Sequence, residues 1–563
     1  MPKGGSLKPR SRPGGALWIV LAIVTAVFAA LFTQTRIEPH LPAMAEGLRL
    51  RLIAGVKLVR LSLLAISCFS IANFFLWRQL YAASRLDRPP RNFSLTNRDW
   101  IAASGLFFAA LLLRLPTLNR SLWWDELNTY VRVVRRGLPV IFAFASDGNN
   151  HLLNSLLMFF SAKLIGTHEW ELRLPSLLLG CAAPPAIYLC GTLALPRRIT
   201  VLMAALAVIH FRCVSYADQA RGYAGAFTFG FIACFLMCAV WREFDARVAI
   251  AYVIASSVAC GFLLPMLVLP ITHATAAAVW FLSARFLRSS RQDTAAPLRG
   301  FWVAVWGALG GLLISALVIP QVMEYSRRSR VDMLPLRDLY LPVLNFAAGG
   351  PEVLLSAATA AAALIGLYSA RKDLSLIAAV AAPAALELAA FLLTGQETAP
   401  RILLPVIFPF LLGLAFFLGG NWPADPLRRA AAAIIAAMFL INSGFAYWPY
   451  WVIGNPPLRE TASLIGSRPI LLTGPQSDLN TYYFRSGVVR SNENVSELLE
   501  NPPEFVLAGI DCGAASNDAP APNYREVARL DDWTLRFEPP TDRRPCFVLW
   551  RRTAAGNSGG PRP

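Results

Sequence analysis

The sequence predicts a mostly α-helical protein: a polytopic bundle of transmembrane helices, with interfacial helices in its first large outer loop and a small α/β domain near its C-terminal end. Three observations carry that expectation. Of 563 residues, 56% are hydrophobic and only 15% charged. The apolar residues run in long uninterrupted blocks, unlike the short alternations of a soluble domain. After about residue 448 the blocks give way to polar, mixed sequence with short β-like runs.

A helix needs about 20 apolar residues to cross the hydrocarbon core. Blocks near that length fall at 17–33, 57–77, 99–116, 172–194, 199–214, 221–241, 248–263, 265–287, 300–320, 352–370, 374–394, 401–419 and 429–447. Two are short, so roughly 11–13 spans are expected. The N-terminus, MPKGGSLKPRSRPGG, is basic and rich in Pro and Gly, which places it in the cytoplasm ahead of a first anchor or an uncleaved signal-like segment. Threading onward puts the loop with Arg78, Arg85, Arg88, Arg91 and Arg98 inside, together with LPRR, WREFDAR, RFLRSSRQ, ARKD and DPLRR. WWDE, the SYADQARGYA turn, the 321–351 loop, the GQETAPR turn and everything after 448 fall outside. The net charge of +18 is thereby accounted for, since Lys and Arg cluster between apolar blocks as topology signals and call for no nucleic-acid partner. The outward run YSRRSR at 325–330 does not follow that rule; lipid headgroups are one set of partners open to it.

Between 117 and 171 the chain is not an ordinary loop. ELNTYVRVVRR alternates apolar and basic residues at helical spacing, and HLLNSLLMFFSAKLIG is apolar for about 14 residues, too few to span. Both read as helices lying in the interface, where Trp123 and Trp124 suit the headgroup level. Two adjacent carboxylates follow, Asp125 and Glu126. Charge at the membrane boundary costs desolvation energy unless it is paired or solvated, so the pair is either a cap or ion pair, or a site. Adjacent helical positions point about 100° apart, so the two do not flank one bond as the carboxylates of a glycoside hydrolase do. His151 and Asn154, at i, i+3 spacing, either line a substrate site or serve as cap and surface. Arg173, at the mouth of the next helix with Glu171, either orients Asp125 through a salt bridge or snorkels to the interface. Arg221 opens a helix on the outer side beside Asp218.

Read in order, LNRSLWWDE, NNHLLNSLL, ELRLPSLLLG, SYADQARGYA and PRILLPVIFPFLLGLA resemble the ordered motifs of the GT-C glycosyltransferases. The match is to the bacterial branch that includes aminoarabinose transferases and relatives of protein O-mannosyltransferases, and it covers roughly residues 99–447. The resemblance implies a helix bundle whose first large exocytoplasmic loop holds an acidic residue, and a sugar donor carried on a polyprenyl phosphate. It maps the acidic motif onto Asp125 and Glu126 as catalytic residues, the Arg/Tyr motif onto Arg221 and Tyr223, and the late Arg-x-L-L-P motif onto Arg401. His151, Asn154 and Arg173 are then substrate-positioning candidates. The implied protein is an inverting glycosyltransferase of the cytoplasmic (inner) membrane that moves a hexosyl or pentosyl group to a hydroxyl of a glycolipid, polysaccharide or protein on the outer face. Such chemistry needs a base for the acceptor hydroxyl and cations for the phosphate as charge grows on it. Arginine, with its planar bidentate fork, suits the phosphate. No cofactor is required, and a divalent cation at the acidic pair stays open. The chain departs from the pattern in lacking a proline after His151, in carrying Gln219 where relatives often have an acid, and in the plain apolar CGFLLPM after 259.

Other chemistries find little support. There is no G-x-x-x-x-G-K-[ST] and no G-x-G-x-x-G, and GALGG at 307–311 lies in an apolar block where small residues favour helix packing. No His/Cys cluster has zinc spacing, and seven of the nine cysteines, Cys68 through Cys260, lie in or near apolar blocks. Charges crowd one face and no internal repeat shows, which weighs against a transporter or lipid flippase. That reading and a non-catalytic assembly subunit of the same fold remain the alternatives. The expected organisation is a basic N-terminus with two additional helices over 1–98, a catalytic bundle over 99–447 with its outer loop at 117–171, an exocytoplasmic α/β domain over 448–553, and a disordered tail over 554–563. RPILLTG, EFVLAGI and CFVLWRR are the strand-like runs of that domain, and Cys512 and Cys546, its two cysteines, are open to a disulfide outside the cytoplasm.

Overall fold

A computed structural model gives the fold and describes residues 14–37, 46–81, 95–145, 149–286, 295–328, 336–394, 400–420, 425–452, 458–468, 470–473, 482–484, 488–490, 504–511, 524–530 and 545–552. The chain opens on α1 (Gly14–Leu31), the single turn α2 (Gln34–Ile37) and the long α3 (Glu46–Tyr81). Ser67 Oγ on α3 donates to Ala22 O on α1 at 2.8 Å. α4 (Asn97–Arg114) starts at a capping box in which Thr96 N donates to Asp99 Oδ2 at 2.7 Å and Asp99 N to Thr96 Oγ1 at 3.4 Å.

The next loop folds into short pieces: α5 (Trp124–Asn128), a π turn over Thr129–Val133, a 3-10 turn over Val134–Arg136, α6 (Leu138–Ala143) and α7 (Leu152–Leu164). With 13 residues, α7 is about 20 Å long and cannot cross a core of about 30 Å. The bundle then continues through α8 (Glu169–Gly191), α9 (Arg197–Ile209), α10 (Phe211–Ala217), α11 (Tyr223–Arg242), α12 (Ala246–Phe262), α13 (Val268–Phe286) and α14 (Ala295–Ser315). After it come α15 (Ile319–Arg328), α16 (Leu336–Ala348), α17 (Val353–Ser369), α18 (Leu374–Val380), α19 (Ala382–Thr394), α20 (Ile407–Gly419), α21 (Pro426–Val452) and α22 (Leu458–Ile465).

All thirteen apolar blocks are helical, but they are not alike. Seven helices among the described residues are long and apolar enough to cross a membrane alone. Three helix pairs are apolar and long enough only together and are bent at a break, α9 with α10 at 60°, α16 with α17 at 70° and α18 with α19 at 50°, which gives up to ten spans if each pair crosses as one. The remaining three, Ala16–Leu31, Ala246–Phe262 and Leu404–Gly419, are shorter apolar helices. Of the roughly 11–13 expected helices, seven to ten among the described residues qualify as spans by length and composition, and the multi-pass membrane architecture stands. The bend between α16 and α17 has a local cause. Gly349 takes φ 75°, and a side chain there would run into the His210 ring, so only glycine makes this corner.

α11 lies at the centre of the bundle, where Phe227 and Phe231 pack on Phe408 of α20 with ring centroids 5.7 and 4.2 Å apart. α1 and α3 dock on α14 through aromatic contacts, Trp18 with Trp306 at 5.3 Å and Phe69 with Trp302 at 4.0 Å. Of the seven cysteines in or near apolar blocks, Cys181, Cys213, Cys234, Cys238 and Cys260 are buried, Cys190 is half-buried and Cys68 is exposed.

The chain ends in a five-stranded mixed sheet, β1 (Ile470–Thr473), β2 (Val488–Arg490), β3 (Phe505–Asp511), β4 (Tyr524–Leu530) and β5 (Pro545–Arg552), in the order β2-β1-β3-β5-β4. β1 runs parallel to β2 and β3, and β5 antiparallel to β3 and β4. One face of a sheet must be covered. Here Ile470, Leu472, Leu507 and Leu549 share a single apolar cluster with Leu122, Leu127, Tyr130, Met158 and Leu172, so the sheet is built onto the loop between α4 and α8. Cys546 pairs across the strands with Ile510, and Cys512 lies outside the described residues, as does any bond between the two cysteines.

Candidate active site

The loop ahead of α5 is shaped by one buried carboxylate and one buried guanidinium. Glu126, the third residue of α5, closes a capping box by accepting from Trp123 N at 2.7 Å. It also accepts from Ala220 N at 2.6 Å and from Arg173 twice, Nε at 2.8 Å and Nη2 at 2.6 Å. Arg173, on α8, spends its other N–H groups on backbone: Nη1 on Leu118 O at 2.9 Å and Arg120 O at 2.7 Å, Nη2 on Ser121 O at 3.0 Å. All five of its donors are used, and the side chains are 1% and 0% exposed. Arg173 thus neither pairs with Asp125 nor snorkels. It is the post around which residues 118–126 are wrapped, and Glu126 is saturated by its partners.

Asp125 faces the other way, as adjacent helical positions must. Its Oδ2 accepts from Arg221 Nη1 at 2.5 Å, its Oδ1 has no hydrogen bond among the described residues, and its side chain is 12% exposed. Arg221, just before α11, donates through Nη2 to Asn149 Oδ1 at 2.9 Å and meets His151 Nε2 at 3.1 Å. Its guanidinium carbon lies 4.9 Å from the Tyr223 ring centroid and 5.8 Å from that of Trp123. Its Nε is buried without a partner among the described residues.

The His151 tautomer follows from its neighbours. Nδ1 is 3.1 Å from Phe262 O, which can only accept, so Nδ1 carries the hydrogen and Nε2 receives the Arg221 donor. A neutral ring suits this place, and burial, followed by the charge of Arg221, pushes its pKa down to about 3. The charge of Arg401, on the 3-10 turn Pro400–Ile402, pushes in the same direction.

Two expectations need correction. His151 is the N-cap of α7, with extended backbone at φ −86° and ψ 92°, so it does not share a helical face with Asn154. Asn154 instead is 1% exposed and accepts from Ser176 Oγ at 2.9 Å, and Ser176 also reaches Arg221 O at 3.0 Å. Asn154 packs α7 on α8 behind Arg221. The sequence reading missed Asn149, whose signal was its place in the NNH run, where an extended segment lets Asn149 and His151 reach one nitrogen of Arg221 together.

The C-terminal part of the chain clamps the loop. Tyr483 Oη accepts from Leu122 N at 2.5 Å, Ser121 Oγ accepts from Arg459 N at 3.1 Å and donates to Glu460 Oε2 at 3.2 Å, and Arg120 grips the carbonyls of Tyr450 and Trp451 at the end of α21. Among the described residues no group of three or more His, Cys, Asp or Glu is placed to hold a metal ion, and the partners of Asp125 are basic.

No family model matches the chain, and no curated protein does. Solved structures do. The crystal structure of ArnT from Cupriavidus metallidurans bound to undecaprenyl phosphate covers 83% of this chain and 100% of its own, with 14% sequence identity and a TM-score of 0.50. The fold is that of ArnT. The helix bundle expected over 99–447 is thus found in that fold, and the likeness covers a larger share of the chain than the stretch in which the motifs lie. The apo crystal structure of the same ArnT covers 80% of this chain and 98% of its own, at 15% identity and a TM-score of 0.48.

Proposed function

We propose that the protein is an inverting glycosyltransferase that moves a sugar from a polyprenyl-phosphate donor to a hydroxyl acceptor on the outer face of the cytoplasmic membrane. The observation that carries this reading is the Asp125–Arg221 pair: one carboxylate with an uncommitted oxygen, set beside arginines on a loop held by Glu126 and Arg173. The ArnT of the matched crystal structure is bound to undecaprenyl phosphate, which supports the choice of donor class.

In the reaction the acceptor oxygen attacks the anomeric carbon from the face opposite the phosphate. Its proton passes to Asp125 as the carbon–oxygen bond to the phosphate breaks, and inversion follows from that geometry. The departing phosphate gathers charge against Arg221 and Arg401, with Tyr223 and Trp123 flanking the Arg221 plane. Glu126 and Arg173 hold the loop and do not meet the reacting atoms. His151 and Asn149 aim Arg221. The acceptor is a glycolipid, polysaccharide or protein, and the segment after 448 helps to hold it.

The test is release of polyprenyl phosphate by purified protein from radiolabelled lipid-linked sugars, with a membrane extract as acceptor. Turnover by the wild type and a loss of about 10²–10⁴-fold in Asp125→Asn, with folding intact, is the expected result. Equal turnover would remove Asp125 from the chemistry. No turnover with hexosyl or pentosyl donors would move the weight to a transporter or to a non-catalytic subunit.

A further inference from the structure

A second polar centre lies against the same loop. Asp218, in the turn between α10 and α11, is 2% exposed. Its Oδ2 accepts from Thr117 Oγ1 and, at 3.2 Å, from Tyr450 Oη. Its Oδ1 is buried with no partner among the described residues, and so is Gln219 Oε1. Both residues line one small cavity that Trp123, Arg120 and Arg173 help to close, with about 10 Å³ open to the centre of a water molecule. That is room for one water. With the Asp218 carboxyl ionised, two unpartnered acceptors cannot serve each other, whereas a water carries two hydrogens and finds the polar lining that an internal water requires.

We propose that this cavity holds one ordered water donating to Asp218 Oδ1 and Gln219 Oε1, and that Asp218 is thereby a positioning residue for the turn that carries Arg221. The turn is short, with Arg221 N bonded to Gln219 O at 2.7 Å, and fixed at its far end by Ala220 N on Glu126 and Arg221 O on Ser176. Thr117, Tyr450 and the water fix its near end. A shift there is passed within three residues to the guanidinium on Asp125. The charges that face Asp218 are Arg114 from α4, Arg120 from the loop and Arg173 from α8, with the Tyr450 hydroxyl from α21. Burial outweighs them and pushes the Asp218 carboxyl up to about 7, so its charge changes within the working range of pH.

The catalytic consequence rests on the transferase reading; the water and the turn do not. The experiment is cryo-electron microscopy of the full chain in lipid nanodiscs, at a resolution that shows buried waters, on the wild type, Gln219→Met and Asp218→Ala, with the release assay run beside it. One water within hydrogen-bond reach of both acceptors in the wild type, its loss in Gln219→Met, and a longer Arg221–Asp125 contact in Asp218→Ala are expected. A dry cavity in a wild-type map that shows other internal waters overturns the water, and an unmoved Arg221 overturns the positioning role. In the assay Asp218→Ala loses about tenfold or more. Asp218→Asn restores most of that and removes the change in rate around pH 7; a change that persists in Asp218→Asn overturns the role as well. Should the wild type transfer no sugar, the maps still decide this proposal while the function falls. Should Asp218→Ala not fold, the position of Arg221 in Gln219→Met decides in its place.

Discussion

Removing Glu126 exposes what the loop depends on. In Glu126→Ala the Arg173 cation stays 1% exposed with no carboxylate, and breaking a buried pair from one side costs about 3–5 kcal/mol. Two buried backbone donors, Trp123 N and Ala220 N, lose their acceptor as well; each adds about 1–3 kcal/mol unless water enters the space. A total of about 5 kcal/mol or more is expected. Arg173→Ala strands the same pair from the other side and also frees the carbonyls of Leu118, Arg120 and Ser121. In the double variant no buried charge is left, so its cost falls short of the sum by about 2 kcal/mol or more. The assay is reversible unfolding in mixed detergent micelles read by tryptophan fluorescence, on the wild type, both single variants and the double. Single costs below about 1 kcal/mol, or a strictly additive cycle, would mean that the pair is solvated and that the loop is held by something else.

His151 and Asp218 give pH dependences of opposite sign. The unfolded chain protonates His151 below about 6.5 and the native ring only near 3, so stability is lost as pH falls through that window; in His151→Gln this part of the decline in melting temperature is absent. Native Asp218 holds its proton up to about 7 and the unfolded chain only to about 3.8, so stability is lost as pH rises between them; Asp218→Asn removes this limb of the melting profile. Tyr483→Phe removes the acceptor of Leu122 N, costs about 1 kcal/mol, and speeds deuterium exchange at the Leu122 amide while amides in α11 are unchanged.

The bundle was legible because long apolar blocks have one solution in lipid. Its breaks were less so. His210 interrupts an apolar run with no proline or charge cluster to mark it, whereas Gly349, Gly350 and Pro351 do mark the corner before α17. At the site, the adjacency of Asp125 and Glu126 told that they point apart, but not which is buried. That was decided by Arg173, 47 residues on, and by Ala220, 94 residues on, and separations of that size leave no local trace. Asn154 was misread because a spacing rule for helix faces was applied across an N-cap, where the backbone is still extended. Docking of the sheet on the loop was illegible for a related reason: Leu122 and Leu127 look like any interfacial leucines until Leu472 and Leu507 arrive.

That late arrival orders events on the ribosome. Tyr483 is made 361 residues after Leu122, which at about 5–20 residues per second is roughly 20 to 70 seconds. Through that interval the bundle is being inserted while the underside of the α5 loop lies bare to the bilayer surface or to a chaperone. The cover that Leu472 and Leu507 give Leu122 and Leu127, and the hydroxyl that Tyr483 gives Leu122 N, therefore reach the loop only at the end of synthesis.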